Sequence, residues 1–372
     1  DLIGIGGLTT TYSRMKELIP LLRRASPDSI IISGGGWCSY NPVEIMQLIP
    51  QIDMVCIGEG EEPLAELLER IEQKRSFTDV KNLWVRDKSG KIHKNPKRKI
   101  IKSLDDLPTA DKSLFEKYGA LTTQLNIMTT RGCPYECTFC VNSFRNSLYT
   151  GEVYLRQRSA KNVIEGITEL QKTYKFKSVR FHDDVFAFNV KWLREFKEEY
   201  VKHVNLPFHC YVTPSTAKEE IIRLLAEAGC TKISIGVQSG SEAIRTKLLN
   251  RKHTDDDIVE ACHRIRKHGM KISAEFIFGF PEETPEDMWK SLNLSDRLNA
   301  NYSPSFVFYP YPKTELAEYC LEKGYLNKKN YELVKKGYGS YHTTGWLDLP
   351  YMDDVYKFAK VLPIYTVCPK FL

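Results

Sequence analysis

Apolar residues along this chain come in short runs. The runs alternate with longer stretches whose apolar positions recur at helical spacing. Residues 2–8 read as a strand. Residues 12–25 read as a helix, with Met15, Leu18, Leu21 and Leu22 on one face. Residues 29–33 read as a second strand running into Gly34-Gly35-Gly36, and residues 53–57 as a third running into Gly58-Glu59-Gly60-Glu61. A helix over 63–73 follows. Strands alternating with helices predict a parallel, doubly wound sheet. Ligands of such sheets bind at the strands' carboxyl ends. Both glycine clusters fall there, although tight turns use glycine as well.

Residues 77–119 read as a connector. It holds a hairpin over 82–93, turned at Lys88-Ser89-Gly90, and then Leu104-Asp105-Asp106-Leu107-Pro108. From 120 to 325 the strand–helix alternation resumes. Strands are predicted near 124–130, 178–183, 207–212, 231–237, 271–278 and 303–309. Helices are predicted near 159–173, 190–203, 217–228, 241–268, 284–298 and 314–323. The 3.6-residue pattern is clear in Ile221, Ile222, Leu224 and Leu225, and it stops at Gly229. Thr284-Pro285 is a helix start, with Thr as cap and Pro at the first position. Consecutive units of this kind predict an open, partial (β/α)6 barrel, whose active residues sit on the loops after the strands. Residues 326–372, rich in Tyr and Lys, are expected to cover the barrel mouth.

The chain is thus predicted to be α/β, a partial barrel preceded by an incomplete doubly wound, Rossmann-like domain over 1–76. A half sheet leaves the strand over 2–8 with an exposed apolar edge. The chain also begins at Asp1 without an initiator Met. Both features lead us to expect a fragment of a longer protein.

Composition narrows the class. The chain is 42% hydrophobic and 27% charged, as in soluble globular proteins. A net charge of +6 over 372 residues is mild and does not indicate nucleic acid. The basic run over 91–102 reads as a solvated hairpin face. No apolar run reaches the length of a membrane span, and no signal peptide is visible. Of the 10 cysteines, Cys38, Cys56, Cys210, Cys230, Cys262, Cys320 and Cys368 stand apart, most of them in apolar surroundings. Reduced thiols argue for a reducing, low-oxygen cytoplasm.

The remaining three change the picture. Cys133, Cys137 and Cys140 sit in Thr-Thr-Arg-Gly-Cys-Pro-Tyr-Glu-Cys-Thr-Phe-Cys, directly after the strand at 124–130. Three thiolates at this spacing can hold three irons of a 4Fe-4S cluster, which normally takes four Cys. The open iron can then bind and reduce S-adenosylmethionine (SAM), radical chemistry that belongs to the cofactor. Structural zinc would want four ligands, and no second Cys pair follows. A disulfide would need an oxidising compartment.

Polar residues, Gly and Pro gather after every barrel strand: Phe181-His182-Asp183-Asp184, Tyr211-Val212-Thr213-Pro214, Gly236-Val237-Gln238-Ser239-Gly240, Phe278-Gly279-Phe280-Pro281 and Tyr309-Pro310-Tyr311-Pro312. Asp183 and Asp184 could accept from the SAM ammonium, or cap a helix. Gln238 and Ser239 could bond the ribose or carboxylate, or form a strand-end turn. Gly279 lets backbone approach the adenine, or serves a plain turn. Phe139 is an adenine contact or core packing. Arg156 and Arg158 meet SAM or the cluster, or else start a helix. His182 reads as a satisfied strand-end histidine.

These strings resemble the radical SAM superfamily, and the N-terminal ones its cobalamin-binding class, which includes radical methylases and an anaerobic porphyrin-ring cyclase. Gly6-Gly7-Leu8-Thr9, Ser33-Gly34-Gly35-Gly36 and Gly58-Glu59-Gly60 are similar to the second half of a cobalamin domain, with Gly6 where the family has Ser. The resemblance implies that Cys133, Cys137 and Cys140 ligate the cluster. Asp183 or Asp184 would meet the amino acid part of SAM, and Gln238 with Ser239 its ribose or carboxylate. Leu8, Thr9, Ser33, Gly34, Gly35 and Gly58 would meet cobalamin. Gln238 stands where the family has Glu, Thr213 where it often has Arg, and Glu282 and Lys313 where Gly is usual.

The implied activity is reductive cleavage of SAM to a 5′-deoxyadenosyl radical, for cobalamin-dependent methylation or rearrangement at an unactivated carbon. A flavodoxin or ferredoxin would donate the electron. The alternatives are a cobalamin-independent radical enzyme and a non-catalytic iron–sulfur redox or sensor module. The residues do not choose among small-molecule, lipid and natural-product substrates, nor name an acid–base group.

Overall fold

Strand alternation sorts the barrel residues into two faces. Leu125, Val179, Phe181, Phe208, Cys210, Val212, Ile233, Ile235, Ile272, Ala274, Phe276 and Phe278 are all buried in one core. Their strands are Gln124–Ile127, Ser178–Phe181, Phe208–Val212, Cys230–Gln238, Lys271–Phe278 and Ser305–Val307. In a computed structural model, which describes residues 1–7, 11–119 and 123–368, these pair in chain order as one parallel six-stranded sheet. The sheet curls into a half-barrel, as predicted. Helices Ala160–Thr173, Val190–His203, Glu219–Glu227, Asp255–Lys267 and Pro285–Leu298 contribute their apolar stripes to that core. Phe181 anchors it, 4.5 Å from Phe186 and edge-on to Phe208 at 5.4 Å. Thr254 and Thr284 start two of the helices with capping boxes. Each cap is worth about 1 kcal/mol.

One helix differs from expectation. The span 241–268 is not continuous: a π-helical turn, Ile244–Leu248, is followed by a loop, and the α-helix begins at Asp255. Asn250 takes a left-handed φ of 53° there. The fully buried Arg245 fixes the break, donating to the carbonyls of Ser239 (2.8 Å) and His253 (3.1 Å) and to Asp255 (2.5 Å).

The chain divides into two units. The half-barrel belongs to the unit comprising 101–146, 153–308 and 349–372. The other comprises 1–100, 147–152 and 309–348. Its sheet runs Leu2–Gly6, Ile30–Gly34 and Met54–Cys56 in parallel, then Leu83–Arg86 and Ile92–Lys94 antiparallel. The predicted hairpin is therefore the far edge of this sheet. Tyr12, Met15, Ile19, Trp37, Ile45 and Ile52 fill its core. Among the described residues no helix is long and apolar enough to cross a membrane.

Candidate functional site

The cysteine loop follows the first barrel strand and is pinned from two sides. Before it, the Thr129 and Thr130 amides (2.8 and 2.5 Å) and hydroxyls (2.9 and 2.6 Å) all donate to one oxygen of Asp183. Within it, Thr138 donates its hydroxyl to the carbonyl of Leu248 at 2.6 Å. Asn250 donates its side-chain amide to the carbonyl of Glu136 at 3.0 Å. The buried Arg251 reaches the Cys137 sulfur at 3.4 Å and the Gly236 carbonyl at 2.6 Å. Thr213 donates its hydroxyl to the Tyr135 hydroxyl at 3.2 Å. A cavity of about 320 Å³ opens beside Cys137, lined by Tyr135, Thr213, Ser215, Arg251 and His253 among others.

Cys137 is buried, and Cys133 and Cys140 are half-buried. Burial pushes the Cys133 thiol up to about 12 and the Cys140 thiol to about 11, with Asp184 and neighbouring thiols adding to both shifts. Among the described residues no three His, Cys, Asp or Glu side chains already stand in metal-site geometry. The donor set nonetheless fits a cluster. Three thiols share one loop, near enough to feel one another's charge, and a coordinating cation reverses their preference for the proton.

The two acidic residues after the second strand separate. Asp183 is 1% exposed and spends one oxygen on the threonine pair, while its other oxygen is buried without a partner. Burial raises it to about 6 against the pull of those donors. Asp184 is exposed, bonded to Asn142 and attracted by Arg145, and its charge is felt at Cys133 and Cys140. Of the pair, Asp184 faces the thiols and Asp183 holds the loop that carries them.

Gln238 sits on a bulge at the end of the fourth strand with φ of 74°, and its amide lies over Gly236 beside Arg251. A non-glycine residue held left-handed is strained, and such strain gathers at functional sites. Ser239 turns away. It is fully buried and accepts from the Ser241 amide at 3.1 Å. Gly279 has φ of 83°, and a Cβ there would strike Val355 at 2.9 Å. Its amide donates to Glu283 at 2.6 Å. Phe139 packs edge-on to Phe280 at 5.9 Å. Arg156 bonds the carbonyls of Tyr154 and Ile101, and Arg158 those of Leu107 and Asn162's side chain, which gives both a structural role. His182 bonds Asn126 at 2.9 Å.

Sequence reasoning passed over Asn250 and Arg251, hidden in a span read as helix, although a polar run Asn250-Arg251-Lys252-His253 was visible there. It also passed over Glu283. This fully buried carboxyl holds the Gly279 and Phe280 amides with one oxygen and leaves the other without a partner. Burial raises it to about 8.

In the first unit, Leu8 and Thr9 lie outside the described residues. Ser33 is buried and bonds the Cys38 sulfur at 3.2 Å, so it faces the core. Gly34 ends the second strand, and Gly35 just after it (φ 97°) packs backbone to backbone on Gly7. Gly58, with φ of 80°, lies beyond the end of the third strand, under the Tyr149 hydroxyl, which also accepts from the Glu59 amide at 2.9 Å. Gly34 and Gly35 bring no side chain of their own to that strand end, whereas Tyr149 already covers Gly58.

The radical SAM superfamily pattern matches residues 127–295, and the B12 binding domain pattern matches residues 1–68. An uncharacterized methyltransferase of Pyrococcus horikoshii is 27% identical over 89% of this chain and 72% of its own length. An anaerobic magnesium-protoporphyrin IX monomethyl ester cyclase of Rubrivivax gelatinosus is 23% identical over 85% of this chain and 58% of its own length. Among solved structures, the radical S-adenosylmethionine methyltransferase TsrM of Kitasatospora setae, with cobalamin and a [4Fe-4S] cluster bound, shares the fold. Its TM-score is 0.73 and its identity 20%, over 87% of this chain and 64% of that one. The chain thus spans only part of each relative.

Proposed function

Because the chain belongs to the radical SAM superfamily, in the class with a B12-binding domain, we propose that it cleaves SAM reductively to methylate or rearrange an unactivated carbon with the help of cobalamin. The cluster, when bound, supplies the electron that breaks SAM into methionine and the 5′-deoxyadenosyl radical. Cys133, Cys137 and Cys140 would hold it, and Arg251 would balance its charge through Cys137. Asp184 would take the SAM ammonium, and Gln238 the ribose or carboxylate. The Gly279–Phe280 turn, held by Glu283, and Phe139 would form the adenine wall. Gly34 and Gly35 would line the corrinoid edge. An external one-electron donor is required.

One observation carries the reading: the cysteine loop is fixed at the strand ends by both Asp183 and Arg251. Anaerobic reconstitution should give about four irons and four sulfides per chain. With SAM and a strong reductant, 5′-deoxyadenosine should form. A full cluster that never yields it would make the protein an iron–sulfur redox module instead.

A further inference from the structure

The face of the half-barrel opposite the core is lined with charge. Alternation sends Val179, Phe181, Phe208, Cys210 and Ile233 into the core, so Arg180, His209, Tyr211, Lys232, Ser234 and Glu275 project to the concave side. Strand register aligns Arg180 with His209, His209 with Lys232, and Lys232 with Lys271. Three cations thus share one level of the sheet, against a single carboxylate, Glu275, which bonds Ser234. Arg180 gives one nitrogen to the Tyr211 hydroxyl and lies 5.6 Å from that ring. Its Nε is buried without a partner. Among the described residues, the ammonium groups of Lys232 and Lys271 make no hydrogen bond or close ion pair, though Glu275 attracts that of Lys232. His209 bonds Ser234 at 3.0 Å, and burial beside the cations holds it down at about 3, so it stays neutral.

A half-buried guanidinium with an orphaned donor is costly unless something accepts from it. Two further cations crowd the same face, Lys232 and Lys271, with only Glu275 to offset the repulsion among the three. An oxyanion removes both penalties. We propose that this concave face binds the anionic group of the substrate, a carboxylate or a phosphate, through Arg180 and Lys232, with Tyr211 orienting the guanidinium. The two cations stand two strands apart, about 10 Å at the backbone, which their long side chains can close onto one anion. Arg180 lies three residues before Asp183, which anchors the cysteine loop, a rise of about 10 Å. The substrate class is therefore a small molecule whose anionic end lies on the order of 10 Å from the carbon that reacts. This inference rests on the radical SAM reading.

The test uses the anaerobically reconstituted chain at low salt, without SAM or reductant, titrated calorimetrically with pyrophosphate and with glutarate. At least one probe should bind saturably. Affinity should fall roughly tenfold in Arg180→Gln and in Lys232→Gln, the loss of one charge-assisted bond. It should recover in Arg180→Lys and stay unchanged in Lys202→Gln, on an exposed helix face. Tighter pyrophosphate would mark a phosphate-bearing substrate, tighter glutarate a carboxylate. If Arg180→Gln fails to fold, the half-exposed Lys232 decides alone. Binding of neither probe, or equal binding to Lys232→Gln, overturns the anion site. A chain that binds neither probe yet forms 5′-deoxyadenosine sinks this inference only. One that binds a probe and forms none sinks the radical reading only.

Discussion

Arg251 donates to the sulfur of Cys137 at 3.4 Å while its other terminal nitrogen holds the carbonyl of Gly236 at 2.6 Å. The guanidinium therefore ties the cysteine loop to the fourth barrel strand and sets a full positive charge against one thiolate. Charge and hydrogen bonds at the sulfurs tune cluster potentials. Arg251→Gln should leave the cluster in place and lower its midpoint potential by on the order of 100 mV, given the worth of a nearby unit charge at intermediate dielectric. Redox titration followed by electron paramagnetic resonance reads this. An unchanged potential would mean that Arg251 acts only as a tie.

Asp183 and Asp184 should fail differently. Asp183→Ala strands four donors of Thr129 and Thr130, each costing about 1–3 kcal/mol when unsatisfied. It should destabilise the loop and lose iron. Asp184→Ala should keep the cluster and weaken SAM binding roughly tenfold or more. Iron content together with SAM equilibrium dialysis separates the two. Equal behaviour would sink the division of roles.

Glu283 gives a pH signature. Its folded pKa, about 8, lies above the ordinary carboxylate value because burial disfavours the charge. The folded state then holds a proton that the unfolded state releases between about pH 4.5 and 8. Stability from this group is full below that window and falls as pH rises through it. Glu283→Gln should flatten the fall in melting temperature between pH 5 and 8. A parallel pH profile in the variant would exclude a protonated Glu283.

Gly58 is tied to Tyr149. A Cβ at position 58 would sit 2.1 Å from the Tyr149 hydroxyl, on backbone already left-handed at φ 80°. Gly58→Ala should cost about 1–3 kcal/mol, and adding Tyr149→Phe should recover only the part due to the clash. Denaturant melts of the single and double variants give the split. Full recovery would show that the φ strain is negligible.

Much of this protein was legible in the sequence because the signals were local. Hydrophobic periodicity fixed the partial barrel and its predicted strands, since alternation and helical spacing are properties of neighbouring residues. The spacing of Cys133, Cys137 and Cys140 carried their chemistry in the same way. What tertiary structure alone decided concerns residues far apart in sequence. Adjacent Asp183 and Asp184 point to opposite duties because one meets Thr129 and Thr130 across a strand pair. Ser239 and Ser33, polar and suggestively placed, turn inward onto Ser241 and Cys38. Arg251 matters because the chain leaves its π-helical turn after Leu248 and returns to the cysteine loop, a closure paid in long-range packing that no local pattern records. The charged concave face likewise needed strand register, which aligns Arg180, His209 and Lys232 from three separate segments.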